Sequence, residues 1–173
     1  MPPTTTIGSL AFSADTGVNS TDFITNTAVQ TITATLSDAL TLGETLFGSL
    51  DNGVHWTDIT NKVFGSGLSW GGVTLAASNT LKFKVTDLAG NAGTITSQPY
   101  VLDTTAPTTS AAPSVSGTTA SGTMLAATIN ENGTGYYLVQ PAAAAAPSAA
   151  TVIAANHGFT MTANSQATAN ISG

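Results

Sequence analysis

Leu81-Lys-Phe-Lys-Val85 alternates strictly, with Leu81, Phe83 and Val85 on one face and both lysines on the other. A period of two is the signature of a half-buried strand. Residues 29–36 repeat the pattern, setting Ile32, Ala34 and Leu36 against Thr31, Thr33 and Thr35. Shorter apolar-leaning runs at 7–13, 45–50, 55–59, 68–75 and 94–102 predict further strands. Asp51-Asn52-Gly53 separates two of these runs, and Asn-Gly supplies the positive φ angles of a tight hairpin turn. Ala89-Gly-Asn91 turns the chain after Val85. Past residue 113 the signals thin out. Strands are expected at 124–129, 136–139, 159–161 and 167–171, with a low-complexity link from Pro141 to Pro147. Residues 148–156 read as a short helix, with Ser148 as its N-cap and Asn156-His157-Gly158 as its stop.

About seven short strands, with a turn every roughly 8–12 residues, describe an immunoglobulin-like sandwich over residues 1–104. Pro107, flanked by threonines, fixes φ and removes a donor, so residues 105–112 read as a semi-rigid joint. Residues 113–173 offer about five strands, a partial second immunoglobulin-like or fibronectin-III-like domain. The expected fold class is therefore all-β: tandem sandwiches, the second truncated or incomplete. "PPTTTIGS" near the start echoes "APTTSAAPS" at 106–114, as if each followed the same kind of joint in a longer array.

Charge narrows the functions. Charged residues make up 7% of the chain, against roughly 25% in ordinary globular domains. The cations are Lys62, Lys82 and Lys84, and the net charge is −6. Such a chain cannot build the basic face that meets phosphates, so nucleic acid is not an expected partner. A polybasic grip on anionic membranes is ruled out by the same count. No apolar run approaches ~18 residues, so no spanning helix is expected. Met-Pro-Pro lacks the basic and apolar regions of a signal peptide. Cysteine is absent, which leaves the redox compartment open. Few lysines, no cysteine and abundant threonine are associated with bacterial extracellular repeat proteins.

Four short motifs sharpen this. They are "FSADTGVNSTDFITN" (12–26), "SLDNGVHWTDIT" (49–60), Asp87-Leu-Ala-Gly-Asn91 and Tyr100-Val-Leu-Asp-Thr-Thr-Ala-Pro107. In this order, across residues 4–107, they resemble the bacterial immunoglobulin-like repeats of large secreted adhesins of the type I secretion, biofilm-forming kind. The later "GTGYYLVQP" (133–141) and "APSAATVIAA" (146–155) resemble another repeat of such arrays. The resemblance implies tandem modules that extend an adhesin from the cell surface, often with calcium at the joints. The expected partners are neighbouring repeats of the same chain and other copies joined through an open sheet edge. The expected location is extracellular or at the cell surface.

The carboxylates are the candidate ligands, because calcium takes six to eight hard oxygen ligands. In a seven-strand sandwich, Asp15 and Asp22 fall in the first loop and Asp103 at the chain's exit, which places all three at one pole. Asp51 and Asp87 are secondary candidates, Asp51 near that pole and Asp87 at the opposite one with Asp38 or Glu44. Crowded carboxylates repel, and this chain has few cations to offset them, which favours a metal. The alternative is that Asp15, Asp22 and Asp87 cap turns through side-chain hydrogen bonds; for Asp87 the turn role is preferred.

His55 and His157 stand alone in different segments, and zinc needs a cluster. Gly67-Leu-Ser-Trp-Gly71 has the letters of a nucleophile elbow without the strand-to-helix context or an Asp-then-His order, so no enzyme is expected. Trp56 and Trp70 suit either sugar stacking or a core. Two other functions compete with the extender module: a filament subunit assembled by strand complementation, and a carbohydrate-binding or spacer module of a secreted enzyme.

Overall fold

Strand alternation turns into burial. In the computed structural model, which describes residues 1–17 and 19–172, Leu81, Phe83 and Val85 of β8 (Asn79–Thr86) are wholly buried. Lys82 and Lys84 lie on the opposite, half-exposed face. Val18 and Gly173 lie outside the described residues, Val18 within the first loop and Gly173 at the end of the expected second domain. Among the described residues the chain is all-β apart from a 3-10 turn at Thr60–Lys62 and one short α-helix, and it divides into two compact units, Met1–Thr105 and Ala106–Gly173.

The first unit has two sheets. One has the order β1-β3-β7-β6: Ile7–Phe12, Val29–Leu36, Gly67–Thr74 and Val63–Phe64. The other has the order β2-β9-β8-β4-β5, where β2 is Ile24–Thr25, β9 Thr96–Leu102, β4 Thr45–Ser49 and β5 Thr57–Asp58. Neighbours are antiparallel except β2, which lies parallel to β9 with Ile24 beside Val101. Ile32, Ala34, Leu36, Leu68 and Trp70 from the first sheet share one core with Leu46, Phe83, Val85 and Tyr100 from the second. The Trp70 ring stands edge-on to Phe83, centroids 6.2 Å apart. It reaches there over Gly48, where a Cβ would lie 2.5 Å from the indole.

Asn52 and Gly53 adopt the expected positive φ angles, 60° and 88°. The hairpin is looser than a two-residue turn, however, since β5 resumes only at Thr57. Asp51 and Ser49 take the loop's N–H groups: His55 N–H donates to Asp51 Oδ1 and Gly53 N–H to Ser49 Oγ, both at 2.9 Å. These side-chain bonds replace ladder bonds.

The second unit is thinner. β10 (Thr109–Thr119), β11 (Gly122–Ile129) and β14 (Gln166–Ser172) form a three-stranded antiparallel sheet, and β12 (Gly133–Tyr136) pairs with β13 (Gly158–Met161). β10 corrects the sequence reading. Its first four residues lie in the expected joint, and the sequence signals no strand over the rest. Pro113 and the Ser/Thr/Gly composition carry loop signals, which pairing with β11 overrides. β12 lies N-terminal to the strand expected at 136–139. Gly135 must face Met161 and Phe159, and a Cβ there would sit 2.7 Å from each. The helix, α1 (Ala149–Ala154), forms where expected: Ser148 Oγ accepts the Thr151 N–H, and Asn156 ends it at φ 58°. Among the described residues of this unit, Ala126 and Met161 are the only buried apolar side chains. No helix among the described residues is long and apolar enough to cross a membrane.

Candidate metal centre

The loop from β1 to β3 carries Asp15 and Asp22, and Gln30 holds it in place. Gln30 sits at an inward position of β3, two residues before Ile32, and is 1% exposed. Its Nε2 donates to Ala14 O at 2.9 Å and Thr27 O at 2.7 Å. Its Oε1 accepts from Ser13 Oγ and from Ala14 N–H, both at 3.0 Å. Buried Thr25 adds a bond from its hydroxyl to Ala14 O at 2.6 Å. Sequence reasoning missed this network. Its signal was there: a polar residue in register with the apolar face of an alternating strand must find partners inside.

Asp15 accepts the Phe23 N–H on Oδ2 at 2.9 Å. Phe23 is buried and has φ 62°, a left-handed conformation that is an outlier for a bulky residue. Its ring packs edge-on against Phe12, centroids 5.0 Å apart. The other oxygen, Asp15 Oδ1, is closed to solvent and has no hydrogen-bond partner among the described residues. Asp22 Oδ1 accepts from Ile24 N–H at 3.0 Å. Asp103 begins the exit from β9: its N–H donates to Thr25 O at 2.9 Å, and its Oδ1 accepts from Thr105 N–H at 3.0 Å. The loop and the exit thus meet at one end of the first unit. An open groove of about 210 Å³ runs there, lined by Thr16, Gly17, Ile24, Thr25, Asn26, Asp103 and Thr105.

The first loop and the exit therefore share an end; Asp22 and Asp103 each cap backbone two residues on, and Asp15 holds the far side of its loop. Among the described residues no group of three or more His, Cys, Asp and Glu side chains is close enough to hold a metal unaided. Of the three carboxylates Asp103 alone lines the groove, so a cation there would draw the balance of its ligands from neutral oxygens, such as those of the Thr16, Thr25, Asn26 and Thr105 side chains, which calcium accepts.

Asp51 takes part in a different constellation. It accepts from the Ser49 hydroxyl at 2.8 Å and from the His55 backbone, and it pairs with His55 Nδ1. The His55 backbone N–H, then its ring and Ser49, lower the Asp51 carboxyl to about 2. Asp51 and His55 edge a groove of about 290 Å³ floored by Leu50, Ala76, Ala77 and Tyr100. The Tyr100 hydroxyl donates to Leu50 O at 2.9 Å, and burial raises its pKa.

Asp87 lies at the opposite end. Oδ1 accepts from the Ala89 and Asn91 N–H groups and Oδ2 from Asn91 Nδ2, all at 2.9 Å, and the Asn91 side chain foremost lowers its pKa. Leu88 beside it packs on Gly43 of the loop that carries Asp38 and Glu44, and Gly93 packs on Pro3.

Trp70 is buried in the first unit's core. Trp56 is half-exposed, with Lys84 Nζ 4.2 Å from one ring centroid and Gly53 beside the ring. Ser69 lies inside strand β7 rather than at a strand-to-helix turn. His55 is exposed, and His157 stacks on Tyr137 with centroids 5.3 Å apart. No protein family, curated protein or solved structure matches the chain.

Proposed function

We propose that this chain is a structural extender segment of a bacterial cell-surface or secreted adhesin, built of immunoglobulin-like modules and joined in life to neighbouring repeats. The observation that carries the reading is the strand order of the first unit. The order β1-β3-β7-β6 matches what strands A-B-E-D of an immunoglobulin-like sandwich would give, and β9-β8-β4 what its G-F-C would give with β2 and β5 at the edges, which supports the reading. The role is mechanical: to space, project and stiffen. The last strand of the unit, β9, pairs in parallel with β2, a geometry in which bonds are loaded in shear once tension has passed β1. Calcium belongs to this reading at the Asp15–Asp103 end, with Asp22 on the same loop. The unpartnered Asp15 Oδ1 supports it, as does the nearby groove, which Asp103 lines and Asp15 and Asp22 do not. The carbohydrate reading is left with one aromatic platform, since Trp70 is buried while Trp56 is half-exposed with Lys84 over its ring.

The test is single-molecule pulling of the chain from both ends, in calcium and in chelator. The first unit should give one discrete unfolding event at a force that calcium raises. Smooth extension without such an event would remove the mechanical role, and an event indifferent to calcium would remove the metal.

A further inference from the structure

The three-stranded sheet of the second unit has two outer strands, and they differ. β10 is interrupted. Its pairing with β11 shifts register between Thr109 and Ala111, between Ala111 and Ser114, and between Ser116 and Thr119. Pro113 lacks an N–H, and Gly117 turns to φ 62°. Breaks and prolines of this kind blunt a sheet edge against pairing with other chains. β14 has none of them. Gln166 to Ser172 pair residue by residue with Thr128 to Gly122, without a bulge, proline, glycine or charge. Among the described residues no strand pairs with the outer edge of β14.

We propose that β14 is a self-association edge: two copies of this chain pair antiparallel through it about Ala169, joining two three-stranded sheets into one of six. The sequence of β14 is self-complementary in that register. Ala169 faces its own copy, Ala167 faces Ile171, Thr168 faces Asn170 and Gln166 faces Ser172. Apolar meets apolar on the half-buried face, and polar meets polar on the exposed one. A slip of one residue would set Ala169 against Thr168 and Ala167 against Asn170, and a slip of two keeps the alternation but leaves part of the strand unpaired, so the full-length match is the one centred on Ala169. Charge does not oppose the contact. Glu131 is the sole charged side chain between residues 106 and 172, and it lies outside the strands. The occupant is therefore a second copy rather than an unrelated strand, because the edge complements itself. The proposal goes beyond the extender reading and does not rest on it.

Sedimentation of the full chain over a concentration series should show a reversible monomer–dimer equilibrium. Thr168→Lys combined with Asn170→Lys alters only exposed positions and opposes like charges across both halves of the ladder. It should weaken association about tenfold or more. The corresponding pair of glutamate substitutions should act alike, and mixing the two variants should restore a heterodimer. Val115→Lys on β10 should leave the dimer intact. Ala169→Cys gives a second readout, because a disulfide across the two-fold axis forms only in this register and the chain has no other cysteine. A chain that stays monomeric overturns the proposal. So does a dimer that survives both charge pairs, or an Ala169→Cys chain that does not cross-link.

Discussion

Asp15 holds Phe23. One carboxylate oxygen accepts the N–H of a phenylalanine in left-handed backbone at 2.9 Å, while the other is sealed from solvent with no donor among the described residues. A strained backbone is retained where its surroundings over-determine it. Here the Phe23 ring is fixed by Phe12 and its carbonyl by the Val101 N–H. An unpartnered, desolvated carboxylate oxygen is costly, and a cation would offset that cost.

Calcium should therefore raise the melting temperature of the first unit. A ligand that binds only the folded state adds about 2.7 kcal/mol at a hundredfold excess over Kd. Asp103→Ala should remove most of the gain and leave the first unit folded, and Asp15→Asn should do the same. Identical melting curves in calcium and chelator would remove the site.

Gln30→Leu should destabilise the first unit by about 2 kcal/mol or more, because it strands Thr27 O and the Ala14 N–H in a half-buried position and leaves Ala14 O only the Thr25 hydroxyl. Urea unfolding followed by tryptophan fluorescence reads this directly. The same variant should blunt any calcium response, since the loop bearing Asp15 loses its anchor. An unchanged urea midpoint would mean that solvent satisfies these groups without cost.

Where local pattern and tertiary need agree, the sequence is legible. β3 spans the very residues 29–36 whose alternation announces it, and Ser148 caps α1 because its hydroxyl reaches the Thr151 N–H. Where long-range pairing overrides local chemistry, it is not. β10 contains proline, glycine and serine, and only β11 alongside makes it a strand. β2 is two residues long, too short for any period, and exists because Val101 and Leu102 lie parallel to it. At the candidate site, Asp15, Asp22 and Asp103 were visible as carboxylates in loops. The left-handed Phe23 and the sealed Oδ1 were not, since both arise from packing.

Asp51 gives a pH prediction. Its pKa falls from 3.8 to about 2 on folding. A depressed carboxyl contributes stability that is present above the unfolded value and lost as pH drops through the folded one, here between about 4 and 2. The His55 backbone N–H is the foremost cause, so His55→Ala should return the carboxyl only part of the way. Carbon-detected titration of Asp51 in both proteins checks this. Full recovery of an ordinary carboxylate value would assign the effect to the imidazole instead.

Gly48→Ala should cost about 1–3 kcal/mol, since the added methyl lands 2.5 Å from the Trp70 indole in a filled core. Near-ultraviolet circular dichroism should change along with it. The cost should shrink in a Trp70→Phe background, where the smaller ring leaves room. Equal losses in both backgrounds would mean that Ile59, whose Cδ1 lies 3.0 Å from the same methyl, and not the indole, sets the cost.

The two units should open at very different rates. Stability is local, and it follows how much apolar surface each element seals away. β8 lies between β4 and β9 and buries Leu81, Phe83 and Val85 completely, so its N–H groups should exchange only on opening of the whole first unit. β11 is also a central strand, between β10 and β14, yet only Ala126 along it is buried. The neighbouring β10 is exposed along its whole length. With so small a core, little resists the entropy released when the sheet opens. Hydrogen exchange on a dilute, monomeric sample should show fast exchange across residues 124–129 beside slow exchange across 81–85. Equal protection in a sample proven monomeric would mean that backbone pairing, with hardly any buried core, suffices to stabilise a three-stranded sheet of this length.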